Sequence, residues 1–489
     1  MTKDIVLTRK LGGAENFFRC RTEVDFYRNF FAVGAYSRDL TADWPLFYRA
    51  LRKTLLDYHI LICNVFKEAN YTVFRPIEKA TLGDLVELDP SVFSPLGKPV
   101  SEEFMKKYLK KVLFHLYQQK PLTKLIIAGT HDLAVIFEHT IADGVVAPYF
   151  HEAFLKNLAF CDERENDADY LKFYGPVPET VDMDTPIFVY SDDVVYIKHS
   201  LPPPMEMGMQ DPDIDYTDND PQHYSKVTPP DYPKQWPGRF PATKDATVAY
   251  KLVNIPPNDL KALLRKCKEH KVTLTAYITY IQAMALRPVY GDKHHFRTVM
   301  AVTLRRFLTP HNVERRYSDI FEEKDYKLMG NYAHMGLPEH FAPATEFSWD
   351  KVKTISEHLS RSVVNDKLLN TMKPFFDTAD ELENNSKLFT SALGKSKGDG
   401  SKLSNLGYFD FPIYRVRDTE WTINDVTFAQ DLAPAASEFV LNVISTLRGG
   451  LNIVISYFDH CYDDVGFETI DKIPGQFRRL LLQSAGINS

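Results

Sequence analysis

Ten prolines fall within the stretch from Leu201 to Pro241, interspersed with Asp and Gln. Proline lacks a backbone N–H and fixes φ, so this density rules out an ordinary helix or a central strand. The stretch reads as a surface crossover between two folded parts. At 489 residues the chain exceeds one ordinary core, and a domain of normal size fits on either side of the break. The expected division is a domain over 1–200, a Pro/Asp-rich linker over 201–241 and a second domain over 242–489.

Both halves mix strand and helix patterns. Residues 45–62 place Phe47, Leu51, Leu55 and Tyr58 at helical spacing, with Pro45 in the first turn. Residues 122–129 and 133–139 are short β-rich runs around Thr130-His131-Asp132, which predicts neighbouring strands. Val146, Phe150, Phe154 and Leu158 then recur every four residues and predict a helix. Past the crossover, strands are expected over 246–255 and 298–304, and helices over 258–270 and 272–286. A hairpin over 439–458 turns at Arg448-Gly449-Gly450, and a helix over 466–485 closes the chain. The fold class is two α/β domains.

A formal charge of −7, without a Lys/Arg-dense run, argues against nucleic-acid binding. The cysteines Cys20, Cys63, Cys161, Cys267 and Cys461 are scattered and odd in number, so they read as reduced thiols rather than disulfides or zinc ligands. The first ten residues lack the apolar centre of a signal peptide, and no run reaches the ~18 to 20 apolar residues of a membrane span. A cytoplasmic monomer is expected, with membrane contact limited to the periphery of endoplasmic reticulum or lipid droplets.

Phe137-Glu138-His139-Thr140-Ile141-Ala142-Asp143-Gly144 carries the most chemistry. A histidine leaves the end of a buried strand, an aspartate and a glycine follow in a tight turn, and a helix begins at once. Asp143 suits a helix cap and Gly144 a backbone angle that other residues resist. Other candidates are weaker. Cys20 and Cys63 sit in apolar surroundings that suit structural thiols. His294-His295 with Asp292 reads as a solvated loop, and the acidic run 211–220 lacks the spacing of a calcium loop. No metal is expected.

His-x-x-x-Asp-Gly after a hairpin, in the first third of a chain this long, resembles the chloramphenicol-acetyltransferase-like superfamily. Leu11-Gly12-Gly13-Ala14-Glu15-Asn16-Phe17-Phe18, with Tyr27 and Phe30, is similar to the opening of fungal alcohol acetyltransferases. Val272-Thr273-Leu274-Thr275-Ala276-Tyr277 resembles the superfamily's helix entry. Val302-Thr303-Leu304-Arg305-Arg306-Phe307 resembles its strand ending in arginine, Ser404-Asn405-Leu406-Gly407 its Ser-Asn-Leu-Gly segment, and 428–450 its closing hairpin. The plant branch's Asp-Phe-Gly-Trp-Gly is absent, with Tyr408-Phe409-Asp410-Phe411 in that region, which points to the fungal branch.

The resemblance implies two chloramphenicol-acetyltransferase-like domains joined by the crossover, with a channel between them. His139 would be the general base in direct acetyl transfer from acetyl-CoA to a small-molecule alcohol. An imidazole with a pKa of about 6.5 suits that task. Asp143 would pair with Arg305 and, with Gly144, support the site; Ser404 and Asn405 would contact the oxyanion or the acceptor. N-acetylation of a long-chain amino alcohol, a sphingoid-base-like compound or toxin, uses the same base and stays open. A non-catalytic interaction protein would have little reason to keep His139, Asp143 and Gly144 together.

Overall fold

The computed structural model describes residues 5–90, 100–164, 168–209, 228–364, 366–376, 386–396, 398–462 and 467–487. The first lobe is built on a five-stranded sheet, ordered Ile423–Gln430, Phe30–Tyr36, Asp132–Phe137, Thr123–Ala128 and Val86–Asp89. Phe30–Tyr36 and Asp132–Phe137 are buried along their whole length, in keeping with the apolar runs 30–36 and 133–137. Side chains alternate across a strand, so each supplies two cores. Phe30, Ala32, Leu133 and Val135 pack with Leu51 and Leu55 of helix Trp44–Asp57 and with Phe150 and Phe154 of helix Val146–Glu163. Phe31, Val33, Ala134 and Ile136 face Phe104 and Tyr108 of helix Glu102–Lys111, together with Tyr250 and Val454.

The second lobe holds a six-stranded sheet, ordered Val248–Ile255, Gly450–Phe458, Phe439–Thr446, Ser401–Phe409, Phe296–Thr303 and Ala333–Phe341. Leu403, Leu441, Ile453 and Ile455 form one core with helices Pro257–Glu269, Leu274–Tyr290 and Phe467–Gln483. The parallel pairing of Phe296–Thr303 with Ser401–Phe409 covers only Thr298 to Met300 against Ser401 to Leu403. Against Phe439–Thr446 the register of Ser401–Phe409 shifts between Asn405 and Tyr408. The sheet therefore opens beside Ser404 and Asn405.

Two features depart from the sequence expectations. Strand Ile423–Gln430, from the second half of the chain, is an edge strand of the first lobe's sheet, with Phe428 opposite Ala32. Asp425 accepts from Asn452 Nδ2 at 2.9 Å and so ties that strand back to its own half. The division at the crossover is thus not a clean division in space. Nor does the crossover begin as a surface strap, because Leu201 and Met205 are buried and Met205 belongs to the second lobe's core. Prolines bring only carbonyls inside, and donors meet them: Arg9 Nε reaches Pro202 O and Tyr332 Oη reaches Pro203 O, both at 2.6 Å. Residues 210–227, including the acidic run, lie outside the described residues. Among the described residues no helix is long and apolar enough to cross a membrane.

Candidate active site

Strand Asp132–Phe137 ends two residues before His139, and helix Val146–Glu163 begins seven residues after it. Between them Glu138 is fully buried and anchors the turn. It accepts from Thr140 N at 2.6 Å and from the Thr22 hydroxyl. Burial pushes the Glu138 carboxyl up, against these hydrogen bonds.

The His139 ring lies flat against Phe18, with centroids 4.1 Å apart and planes 4° from parallel. Tyr27 and Phe30 meet it at 5.7 and 5.1 Å. Burial, reinforced by the positive charges of Arg21 and Lys402, holds its pKa well below the ordinary histidine value; backbone hydrogen bonds at His139 and Ala142 push the other way. The residue as a whole is only partly buried. Desolvation keeps the imidazole neutral, the form that can accept a proton.

Asp143 does not cap the helix. Val145 occupies the N-cap position, and Asp143 takes only its N–H, at 3.1 Å. The carboxylate instead meets Arg305 across the lobes, with Nη1–Oδ2 at 2.7 Å and Nη2–Oδ1 at 2.8 Å. Tyr332 N adds 2.8 Å to Oδ2. Arg305 spends its other three donors on Leu328 O, Gly330 O and Thr303 Oγ1. Two buried charges are stable only when so fully hydrogen bonded.

The pair also determines where Asn331 sits. Arg305 holds Gly330 and Asp143 holds Tyr332, so Asn331 between them is fixed. Its Nδ2 donates to His139 O at 2.6 Å and lies 3.4 Å from His139 Nδ1. The charges thus locate His139 through a neighbour rather than by touching it.

Gly144 has no positive φ, contrary to the backbone role expected for it. Its requirement is steric: a Cβ would come within 2.9 Å of Leu406 Cδ2 and 3.0 Å of Phe428 Cζ. Asn405 gives its Nδ2 to Thr275 Oγ1 at 2.9 Å and accepts from Gly407 N at 2.9 Å. Among the described residues neither Ser404 nor Asn405 hydrogen bonds to His139. Burial raises the Cys63 thiol far above its ordinary value and the Cys161 thiol to about 12, which leaves both poor nucleophiles. His295 is not solvated as expected. It is buried, with Nδ1 2.6 Å from Pro233 O and Nε2 3.3 Å from His340 Nδ1.

Three side chains of the site were not singled out from sequence: Arg21, Asn331 and Lys402. Arg21 lies three residues past the Phe17-Phe18 pair, and that was its only signal. Asn331 comes from a distant segment with no motif of its own, and Lys402 lies two residues before Ser404-Asn405-Leu406-Gly407.

The alcohol acetyltransferase family profile matches residues 10–473. The chain belongs to the alcohol acetyltransferase family. Within reach of this family, N-acetyltransferase SLI1 of Saccharomyces cerevisiae is 23% identical over 470 residues, covering 92% of this chain and 95% of that protein. The fold of this family member is also that of TRI3 trichothecene 15-O-acetyltransferase from Fusarium sporotrichioides, with a TM-score of 0.63 at 10% identity over 97% and 95% of the two chains. The first condensation domain of the CDA synthetase gives a TM-score of 0.56 at 15% identity over 98% and 96%. The architecture is therefore the two-lobed α/β fold of condensation-domain and chloramphenicol-acetyltransferase-like acyltransferases.

Proposed function

We propose that the protein transfers an acetyl group from acetyl-CoA to the hydroxyl of a small-molecule acceptor, with His139 as general base. The observation that carries this reading is a neutral, desolvated imidazole at the seam of two lobes, with Nδ1 turned to Asn331. For Nε2 to take the acceptor's proton, the neutral ring must carry its own proton on Nδ1. That proton is donated to a backbone carbonyl at His139 or Ala142 and not to the Asn331 amide, which offers only N–H groups there. An alcohol is a poor nucleophile until its proton leaves, so His139 takes that proton as the oxygen adds to the thioester carbonyl. When the tetrahedral adduct collapses the C–S bond breaks, and the imidazolium returns the proton to the departing thiolate. Arg305 and Asp143 act on the base through Asn331 and take no part in proton transfer.

Acetylation of an amine is the second reading, favoured by the full-length similarity to a yeast N-acetyltransferase. The same base would accept the proton that nitrogen loses. Incubation with acetyl-CoA and a mixed panel of alcohols and amines, followed by mass spectrometry, tests both. Products heavier by one acetyl group, lost in His139→Ala, support acetyl transfer, and their chemistry assigns the acceptor. Absence of any such product across the panel overturns it.

A further inference from the structure

Two cations lie near His139, and among the described residues neither forms an ion pair. Arg21 packs on two of the rings that touch His139: its guanidinium carbon is 4.6 Å from the centroid of Phe18 and 3.9 Å from that of Tyr27. Its Nε and Nη2 are buried, and among the described residues neither has a hydrogen-bond partner. Lys402 approaches from strand Ser401–Phe409, where its pairing with Val440 puts it on the face opposite Leu403 and the helix-covered core. It too makes no hydrogen bond or ion pair among the described residues. Burial and the charge of Arg21 lower its pKa to about 8.

The nearby carboxyls do not satisfy Arg21. Glu138 is taken by Thr22 and Thr140, and Asp431 accepts from Arg28 N at 3.0 Å. Burial raises both, Asp431 to about 6, and although both attract the charge of Arg21, neither accepts its Nε or Nη2 hydrogens. An arginine with two buried, unmatched donors is costly unless something else supplies the acceptors.

We infer that Arg21, with Lys402, binds an anionic group on the acceptor, so that the molecule acetylated carries a carboxylate or a phosphate beside its hydroxyl or amine. This rests on the acetyltransferase reading. The pantetheine arm of CoA is uncharged beside the thioester, and the acetyl group is neutral, so an anion at this depth belongs to the acceptor. The guanidinium offers a planar fork that matches either oxyanion.

Three probe pairs test the inference: 2-hydroxyhexadecanoate and 2-aminohexadecanoate, each against its methyl ester, and 2-hydroxyhexadecyl phosphate against 1,2-hexadecanediol. In at least one pair the wild-type kcat/KM should favour the anion by about tenfold or more, the worth of a charge-assisted hydrogen bond. The preferred pair identifies carboxylate or phosphate. Arg21→Gln should collapse that ratio towards one through KM, Lys402→Gln should reduce it, and Arg21→Lys should restore part of it. No preference in any pair overturns the inference. So does an Arg21→Gln enzyme that slows anion and neutral partner by the same factor, which would mean that Arg21 serves the reaction's own oxyanion or the fold. Calorimetric binding of the same pairs to wild type and Arg21→Gln, without acetyl-CoA, separates the two readings. Anion-selective binding without any acetylated product leaves the site standing and removes the acetyltransferase reading. Should Arg21→Gln fail to fold, Lys402→Gln and Arg21→Lys decide alone.

Discussion

Arg305 grips both carboxylate oxygens of Asp143 across the two lobes, at 2.7 and 2.8 Å, and the two side chains are 9% and 3% exposed. Removing one partner strands the other charge in the interior. Arg305→Ala and Asp143→Asn should each cost about 3 to 5 kcal/mol of stability, the usual penalty for breaking a buried pair. Denaturant unfolding measures it, and a loss below about 1 kcal/mol, the worth of a surface pair, would contradict the burial argument.

His139→Ala should remain folded and lose about 10²- to 10⁴-fold in turnover, the contribution of a positioned base. Acetyl-CoA consumption, with a melting curve as the folding control, reads both. Near-native turnover in a folded variant would remove the proposed base.

Asn331→Ala tests positioning. Asn331 touches His139, the proposed base, and is itself fixed by Arg305 and Asp143 through Gly330 and Tyr332. The variant should lower kcat more than it raises KM, because the ring loses its orientation rather than a substrate contact. A pure KM effect would assign Asn331 to substrate binding instead.

The pH profile follows from the direction of the His139 shift. The imidazole works only when neutral, and its pKa lies well below the ordinary value. Activity should therefore stay level as pH falls to about 6.5, the unperturbed histidine pKa, and decline only below it. Lys402→Gln removes a positive neighbour, so it should move the acid limb of kcat/KM upward. An acid limb centred at or above neutrality in the wild type would show the base to be exposed.

Gly144→Ala inserts a methyl group against Leu406 and Phe428, both in the way at 3.0 Å or less. Overpacking of this kind costs about 1 to 3 kcal/mol. A melting temperature unchanged from wild type would mean that these side chains give way freely.

The local elements were legible because periodicity and turn residues act over short range. The hairpin before His139 and the helix after it lie close to where alternation and four-residue spacing put them. Long-range relations were not legible in that way. No spacing rule joins Asp143 to Arg305, 162 residues apart, and only the family resemblance linked them. Gly144 was read as a conformational glycine, because contact with Leu406 leaves no mark in its own neighbourhood. His295 looked solvated among charged residues, yet Pro233 from the crossover and His340 from the neighbouring strand enclose it. The buried start of the crossover was misread for a related reason: composition reports the missing N–H groups, but not that Arg9 and Tyr332 wait for the carbonyls.

The strand Ile423–Gln430 limits how such proteins can be recombined. By composition alone, the proline segment is where one would join the first half of one family member to the second half of another. Such a join would also transplant the strand that covers one edge of Phe30–Tyr36. A chimaera would have to match a foreign strand in register, bulge and side-chain volume, directly beside the base. Expressed alone, the first half would present Phe30–Tyr36 as a bare apolar edge, open to pairing with another copy. The two halves of this chain are thus bound to change together, and the position that looks most like a module boundary is not one.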